Sequence, residues 1–280
     1  MKKTWIVGIA GLLAAFCANS AELKVVSGLK MPESVLAMPV GRLFVSEIGE
    51  FGKDGDGVIA VVSPDGTVKP FATGMNDPKG LAFQGGKLYV ADKTRILKVA
   101  KDGQWEVFVA PEAFPAKPQF LNDLAMGDDG ALYVSDSGDL NGKGGAVYRI
   151  SLDGKVKTVV SADDPRVLAP NGLLADGKDH VLMVDFFSGI LYRITVKTGK
   201  MESLAEGFGG GDGIVRDRKG VLWVSDWKNG RVFSLKKDGS LDLQKVTFQS
   251  AADIALSLDG RFVLVPDMKA GSLTWLPTKH

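Results

Sequence analysis

The stretch LNDLAMGDDGALYVSD, Leu121 to Asp136, decides the fold, because its second half returns along the whole chain. LFVSE begins at Leu43, LYVAD at Leu88, LYVSD at Leu132, VLMVD at Val181, LWVSD at Leu222 and VLVPD at Val263. Successive starts lie 45, 44, 49, 41 and 41 residues apart. A period of that length signals stacked or radial repeats. Between the anchors run alternating apolar and polar residues, broken by turn pairs such as Pro64-Asp65-Gly66, Asp102-Gly103, Asp153-Gly154 and Asp238-Gly239, the chemistry of strands and hairpins. One unit reads as an inner strand (residues 171–175), a second (181–185), a third (190–196) and an outer strand (201–205). Such a sheet buries both faces only against neighbours around an axis. The expectation is therefore an all-β fold, a six-bladed β-propeller of four-stranded blades. The last unit lacks an outer strand, and residues 22–28, ELKVVSG, supply a spare one. This N-terminal strand is expected to close the last blade beside residues 272–276, so that no sheet edge is left open at the seam.

The first twenty residues, MKKTWIVGIAGLLAAFCANS, read differently. A basic start, an apolar run and small closing residues make a secretory signal peptide over residues 1–20. Residues 21–280 then form a single propeller domain, secreted to the periplasm or the extracellular space. The apolar run covers only about half of the roughly 20 residues that a bilayer requires, so no membrane span is expected in the mature chain. Cys17 is the sole cysteine, and bulky Phe16 before it argues against a lipid-anchor site. Disulfides and cysteine catalysis are thereby excluded from the mature chain. The formal charge of +1 includes Lys2 and Lys3, leaving a near-neutral domain with no basic patch, so no nucleic acid is expected as a partner. A monomer acting on a small-molecule substrate is the expectation.

A repeat protein supplies its own comparison of equivalent positions. Four residues after each anchor stands a carboxylate: Glu47, Asp92, Asp136, Asp185, Asp226 and Asp267. A group present in all six blades is explained most simply by the blade itself, as an acceptor for backbone N–H groups in the following turn. Nine or ten residues before the anchors stand Glu33, Lys79, Asn122, Asn171, Asp212 and Asp253. They open apolar inner strands and should converge at one end of the central channel. Strand capping would account for any one of them, but less well for the mixed set. Carboxylate and amide oxygens in this proportion suit a hard divalent cation, calcium first among them, with Glu33 and Asp212 matching its charge. The long connections (residues 47–57, 110–121, 136–145, 161–170 and 206–211) fall on the same face, where loops on a rigid scaffold carry recognition. Phe114, Phe120, Phe186, Phe187 and Trp227 are placed to line a pocket there. Lys79 could repel the cation, meet a substrate carboxylate or, as the leading reading, pair with Asp253.

Glu33, Asn122-Asp123, Asn171-Gly172 and Asp212-Gly213, with PNGL at Pro170, GDGI at Gly211 and LND at Leu121, resemble the pattern of the senescence marker protein (regucalcin), gluconolactonase and luciferin-regenerating enzyme family. The wider set includes paraoxonases and diisopropyl fluorophosphatase. The resemblance spans the whole mature chain by blade count. It implies a divalent ion, commonly calcium, held by Glu33, Asn171 and Asp212, with Asn122 orienting substrate in or beside the metal shell. It also implies hydrolysis of lactones or related esters. Two departures stand out. The family follows its glutamate with Gly-Pro and an aromatic, where this chain has Ser34-Val35-Leu36. Sugar-lactone members carry an arginine where this chain has Phe120, so a more apolar lactone or ester fits better than a sugar acid lactone.

The mechanism expected from these residues has the ion polarise a carbonyl while a carboxylate, Asp212 or secondarily Asp253, activates water. Other hydrolytic machinery is missing: His180 falls in a turn on the far face, His280 ends the chain, and a serine triad has no base. GFGGGDG, residues 207–213, lacks the Lys-Ser/Thr ending of a phosphate loop. GKDGDG, residues 52–57, falls short of a calcium-binding loop of the twelve-residue kind. The competing reading is a non-catalytic propeller that binds a ligand or protein and keeps the ion as a structural peg. A quinone-dependent oxidoreductase lacks the histidine wanted for it.

Overall fold

The computed structural model describes residues 23–236 and 238–278; the leader read over residues 1–20 lies outside them. Six four-stranded antiparallel sheets form the molecule. Their inner strands are Pro32–Ala37, Pro78–Gln84, Leu121–Met126, Pro170–Ala175, Gly211–Arg216 and Ala255–Leu256. The anchor segments form the second strands, as the period predicts. Among the described residues there is no α-helix, only two 3-10 turns at Pro39–Gly41 and Pro111–Ala113, and no helix long and apolar enough to cross a membrane.

The core is divided by blade junction. One apolar cluster joins Ile96 and Ala91 of blade 2 to Leu132, Val134 and Tyr148 of blade 3. The next joins Tyr133 and Val147 of blade 3 to Leu173, Met183 and Tyr192 of blade 4. Alternate residues of LYVSD thus face opposite neighbours, which is why a segment with a period of two is apolar throughout. Equivalent clusters fill the junctions between blades 1 and 2, 4 and 5, and 5 and 6. The last junction, between blades 6 and 1, includes Val26 from the N-terminal strand.

That strand, Val25–Ser27, is the outer strand of blade 6, pairing Val25 with Thr274, Val26 with Leu273 and Ser27 with Ser272. Closure of the ring by the chain's first strand is therefore as expected. Removing residues 21–28 exposes Leu273 and deletes the buried Val26 side chain together with its ladder. The expected cost is about 3 kcal/mol, a fall in melting temperature of roughly 6–12 °C. Differential scanning calorimetry of the truncated protein checks this, and an unchanged melting temperature contradicts it.

The six repeated carboxylates clamp the loops that surround the upper channel mouth. Asp185 accepts N–H bonds from Leu168 and Ala169 (3.0 and 2.7 Å), which lead into the inner strand of blade 4. It also accepts from Phe187 and Ser188 (3.1 and 2.8 Å), which leave the second strand. Asp136 does the same for Phe120 and Gly138, Asp226 for Gly210 and Asn229, and Asp267 for Ser250 and Ala270. Asp92 takes the N–H groups of Asn76 and Asp77, and Glu47 that of Lys30. Each carboxylate thus ties two connections rather than only the following turn, except in blades 1 and 2, where the tie runs to the entering loop. On the opposite face the hairpins are tight, with Gly154 and Gly239 at positive φ in their Asp-Gly turns.

Candidate metal centre

The inner strands of blades 1 to 5 open with one irregularity. In blade 3 Leu121 pairs with Asp136, pairing then resumes at Leu124 with Val134, and Asn122 and Asp123 stand outside the ladder. The same shift follows Pro32, Pro78, Pro170 and Gly211. Such a bulge re-aims side chains and leaves backbone groups to be satisfied otherwise. In three blades the anchor serine does so. Ser46 Oγ accepts from Ser34 N–H at 2.9 Å, Ser135 Oγ from Asp123 N–H at 2.9 Å, and Ser225 Oγ from Gly213 N–H at 2.8 Å. The serine of the VSD motif is therefore the acceptor for the bulge.

The residue after each ring position sets how closely blades approach. A Cβ on Gly172 would stand 1.9 Å from the Asp212 carbonyl oxygen, and one on Gly213 2.3 Å from Ile254 N. Glycine lets these strands converge where a side chain would wedge them apart. In blade 3 the place belongs to Asp123, whose carboxylate crosses the junction to accept Leu173 N–H at 2.6 Å. Substituting Gly172→Ala must displace the backbone of Asp212. A loss of about 1–3 kcal/mol of stability is expected. Thermal melting checks it, and an unchanged melting temperature contradicts it.

Five of the six ring residues come together. Glu33, Lys79, Asn122, Asn171 and Asp212 line one cavity of about 130 Å³, with Phe51, Phe120, Phe186, Trp227, Ile48, Leu140 and Met268 forming its walls. Phe51 stacks on Phe120 at 5.8 Å between ring centroids, and Phe186 meets Trp227 at 6.1 Å. Asp253 does not line this cavity. The inner strand of blade 6 is reduced to an isolated bridge at Ala251 and the pair Ala255–Leu256. Asp253 falls between them and faces, with Asp123, the channel of about 600 Å³ on the far side of the ring. Its carboxylate takes the Ser34 hydroxyl, and its N–H donates to Glu33 O at 2.9 Å.

The expected pairing of Lys79 with Asp253 is also replaced. Lys79 is fully buried, donates to the Asp77 carbonyl at 3.0 Å, and holds its ammonium 4.2 Å from the Phe120 ring centroid. Burial lowers its pKa, and the nearby Glu33 charge opposes that. Phe114 belongs to the core, edge-on to Tyr148 at 5.1 Å, and Phe187 is half exposed at the surface. Phe51, Ile48, Leu140 and Met268 were missed as wall residues. Phe51 and Leu140 sit in two of the long loops, which was the available signal.

The oxygens of the ring carry the clearest physical statement. Glu33 Oε2, Asn122 Oδ1, Asn171 Oδ1 and Asp212 Oδ1 are all buried without a hydrogen-bond partner. Each such orphan costs about 1–3 kcal/mol, and four around one cavity call for a shared partner. Asn122 is oriented for this: its amide nitrogen donates to Ser137 Oγ at 3.1 Å, and Ser137 in turn donates to Pro170 O at 2.6 Å, which leaves the amide oxygen free. The Asn171 amide stands beside the Asp212 carboxylate and favours its charged form. Burial pushes Glu33 well above the usual carboxylate range, with the Asp212 charge adding to it. Burial does the same to Asp212, reinforced by Asp253 and Asp123, and it raises Asp123 to about 6.

Among the described residues no three His, Cys, Asp or Glu side chains are grouped as ligands. The donor set here is two carboxylates and two amides, all oxygen. Buried, unpaired and jointly carrying −2, it fits a hard divalent cation and not a soft one.

The SMP-30/gluconolactonase/LRE-like family model matches residues 74–257. Comparison with curated protein sequences finds no match. Among solved structures, a gluconolactonase from Xanthomonas campestris aligns with a TM-score of 0.75 at 19% identity, covering 94% of this chain and 93% of that one. A calcium-binding protein, regucalcin, from Agrobacterium tumefaciens aligns with a TM-score of 0.72 at 20% identity, covering 89% and 90%. A luciferin-regenerating enzyme aligns with a TM-score of 0.74 at 16% identity, covering 92% and 96%.

Proposed function

The chain belongs to the SMP-30/gluconolactonase/LRE-like family, and from that premise we propose that it is a divalent-metal-dependent hydrolase of lactones or related esters, using calcium. The observation that carries the reading is the set of four buried, unpaired oxygens lining one cavity. Glu33, Asn171 and Asp212 would hold the cation, with Asn122 in or beside the shell. When bound, a divalent cation supplies polarisation of a carbonyl and charge against the developing oxyanion.

The chain's own residues do the rest. Asn122, fixed through Ser137, orients the substrate carbonyl. Asp212 would engage the cation through Oδ1 and could take a proton from water at its other carboxylate oxygen. In the metal-free site burial and the charges of Asp253 and Asp123 raise its proton affinity. Asp253, outside the cavity, acts through that charge rather than on substrate. Phe51, Phe120, Phe186 and Trp227 exclude water and give the pocket its apolar preference.

The expected result is stoichiometric calcium in protein purified without chelator, by elemental analysis, and ring opening of at least one apolar lactone or ester across a panel. Fully loaded protein that opens none would turn the assignment to the ligand-binding propeller with a structural ion. Export through the leader at residues 1–20 forms part of the proposal. N-terminal sequencing of the mature protein should begin at Ala21.

A further inference from the structure

We propose that the cavity is a binding site for monoanionic, partly apolar substrates, a carboxylate-bearing aromatic or aliphatic lactone or ester, with Lys79 as the group that recognises the anion. The inference rests on the hydrolase reading for the word substrate and on the oxygen ring for the cation.

The charges on the cavity wall are those of Glu33, Lys79 and Asp212, a sum of −1. A dication on the four oxygens changes this to +1. An apolar pocket whose wall carries a net positive charge favours a negative charge on its ligand. The ammonium that carries this excess is Lys79. Of its three N–H donors, only one meets an acceptor, the Asp77 carbonyl at 3.0 Å. Around it lie the faces of Phe120 and Phe51, at 4.2 and 5.9 Å. Aromatic faces attract a cation but accept no conventional hydrogen bond from it, so donors remain for a ligand carboxylate. Lys79 stands in blade 2 and Asp212 in blade 5, across the ring from each other. An anion on Lys79 therefore spans the cation without displacing the proposed base.

The mouth of the pocket repeats the pattern independently. Lys228 lies 4.5 Å from the Phe186 ring centroid, and Lys269 lies 4.3 Å from that of Trp227. Both are exposed, and neither is in an ion pair among the described residues. Two unneutralised ammonium groups packed on the outer wall of an apolar cleft raise the local concentration of anions. Aromatic walls with a buried cation inside and two cations at the entrance together select an amphipathic anion over a neutral polyol.

The test uses the calcium-saturated protein with phenylacetate and its neutral isostere phenylacetamide, titrated calorimetrically. The wild type should bind the carboxylate more tightly, and Lys79→Met should cut the carboxylate-to-amide affinity ratio by about tenfold, the order expected for loss of a charge-assisted hydrogen bond. Calcium itself prefers a carboxylate, so the change in the ratio, not the ratio, is the readout. An unchanged ratio in a Lys79→Met protein that melts normally overturns the proposal. If Lys79→Met does not fold, the exposed pair Lys228→Gln and Lys269→Gln carries the test. Their double variant should slow phenylacetate association several-fold at low ionic strength, and an unchanged rate overturns the proposal. The two readings fail separately. Anion binding that depends on Lys79 in a protein that opens no lactone sinks the hydrolase and supports the anion site, whereas turnover of neutral lactones with an unchanged ratio sinks the anion site alone.

Discussion

On the proposed reading, Asp212→Ala should lose most calcium binding and hydrolysis together, while the metal-free protein should melt higher at pH 8. The first half follows from charge. Asp212 supplies one of two carboxylates and one of four unpaired oxygens in the cavity; without it Glu33 faces Lys79 and two neutral amides. The loss of a buried charged partner is worth about 3–5 kcal/mol, so calcium affinity should fall by roughly three orders of magnitude. The second half follows from crowding of like charges. Asp212 is held buried against Asp253 and Asp123, so its removal relieves repulsion when no cation is present. Asp253→Ala, below the cavity, should reduce calcium affinity far less. Titration calorimetry, thermal melting and a lactone assay check these four statements; calcium affinity within tenfold of wild type in Asp212→Ala would contradict the assigned ring.

Raising the pH should destabilise the metal-free protein, and on the proposed reading calcium should offset the part of the loss that comes from Glu33 and Asp212. Glu33, Asp123, Asp212 and Asp253 all have folded-state pKa values above their ordinary ones, burial being the first cause in each. The folded state then binds more protons than the unfolded state, so stability is greatest below the ordinary carboxylate range and falls as pH rises through the folded values. The window opens near pH 4 and extends past 6. Asp123 alone, raised from 3.8 to about 6, contributes a loss of about 3 kcal/mol, or roughly 6–12 °C in melting temperature. Glu33, Asp212 and Asp253 deepen it. At the proposed site calcium would replace the protons on Glu33 and Asp212, so its stabilising effect should be small at pH 4.5 and large at pH 8. Melting curves with calcium and with chelator at both pH values decide it; a chelated protein whose melting temperature climbs with pH has the opposite linkage.

The blade count, the strand order within blades and the closing strand were legible because they rest on local pattern: alternation, Asp-Gly turns and a short segment repeated six times. The convergence of Glu33, Asn122, Asn171 and Asp212 was legible for the same reason, since equivalent positions in a ring must meet. What escaped depends on contacts between blades. The spacing that located Asp253 is regular, yet the strand around it is broken, and no count of residues reveals that. Lys79 was paired with the wrong partner because the choice between Asp253 and the Asp77 carbonyl turns on where a long side chain finds room beside Phe120. The serines at 46, 135 and 225 carry no mark in the sequence beyond their place in the anchor segments. Their role appears only once the bulge has left a backbone N–H for them to accept.

The pairing of Val25 with Thr274 also orders events in time. Blade 1 gains its second neighbour, blade 6, only when Ser272 to Thr274 are available to pair with Val25 to Ser27, because the clasp joins segments about 250 residues apart. Contacts so distant in sequence form slowly, and until they form Glu33 has no fixed distance from Asp212. Affinity at the proposed ion site would therefore depend on ring closure, since the oxygens of blades 1 and 5 are set at a fixed distance only once the ring is shut.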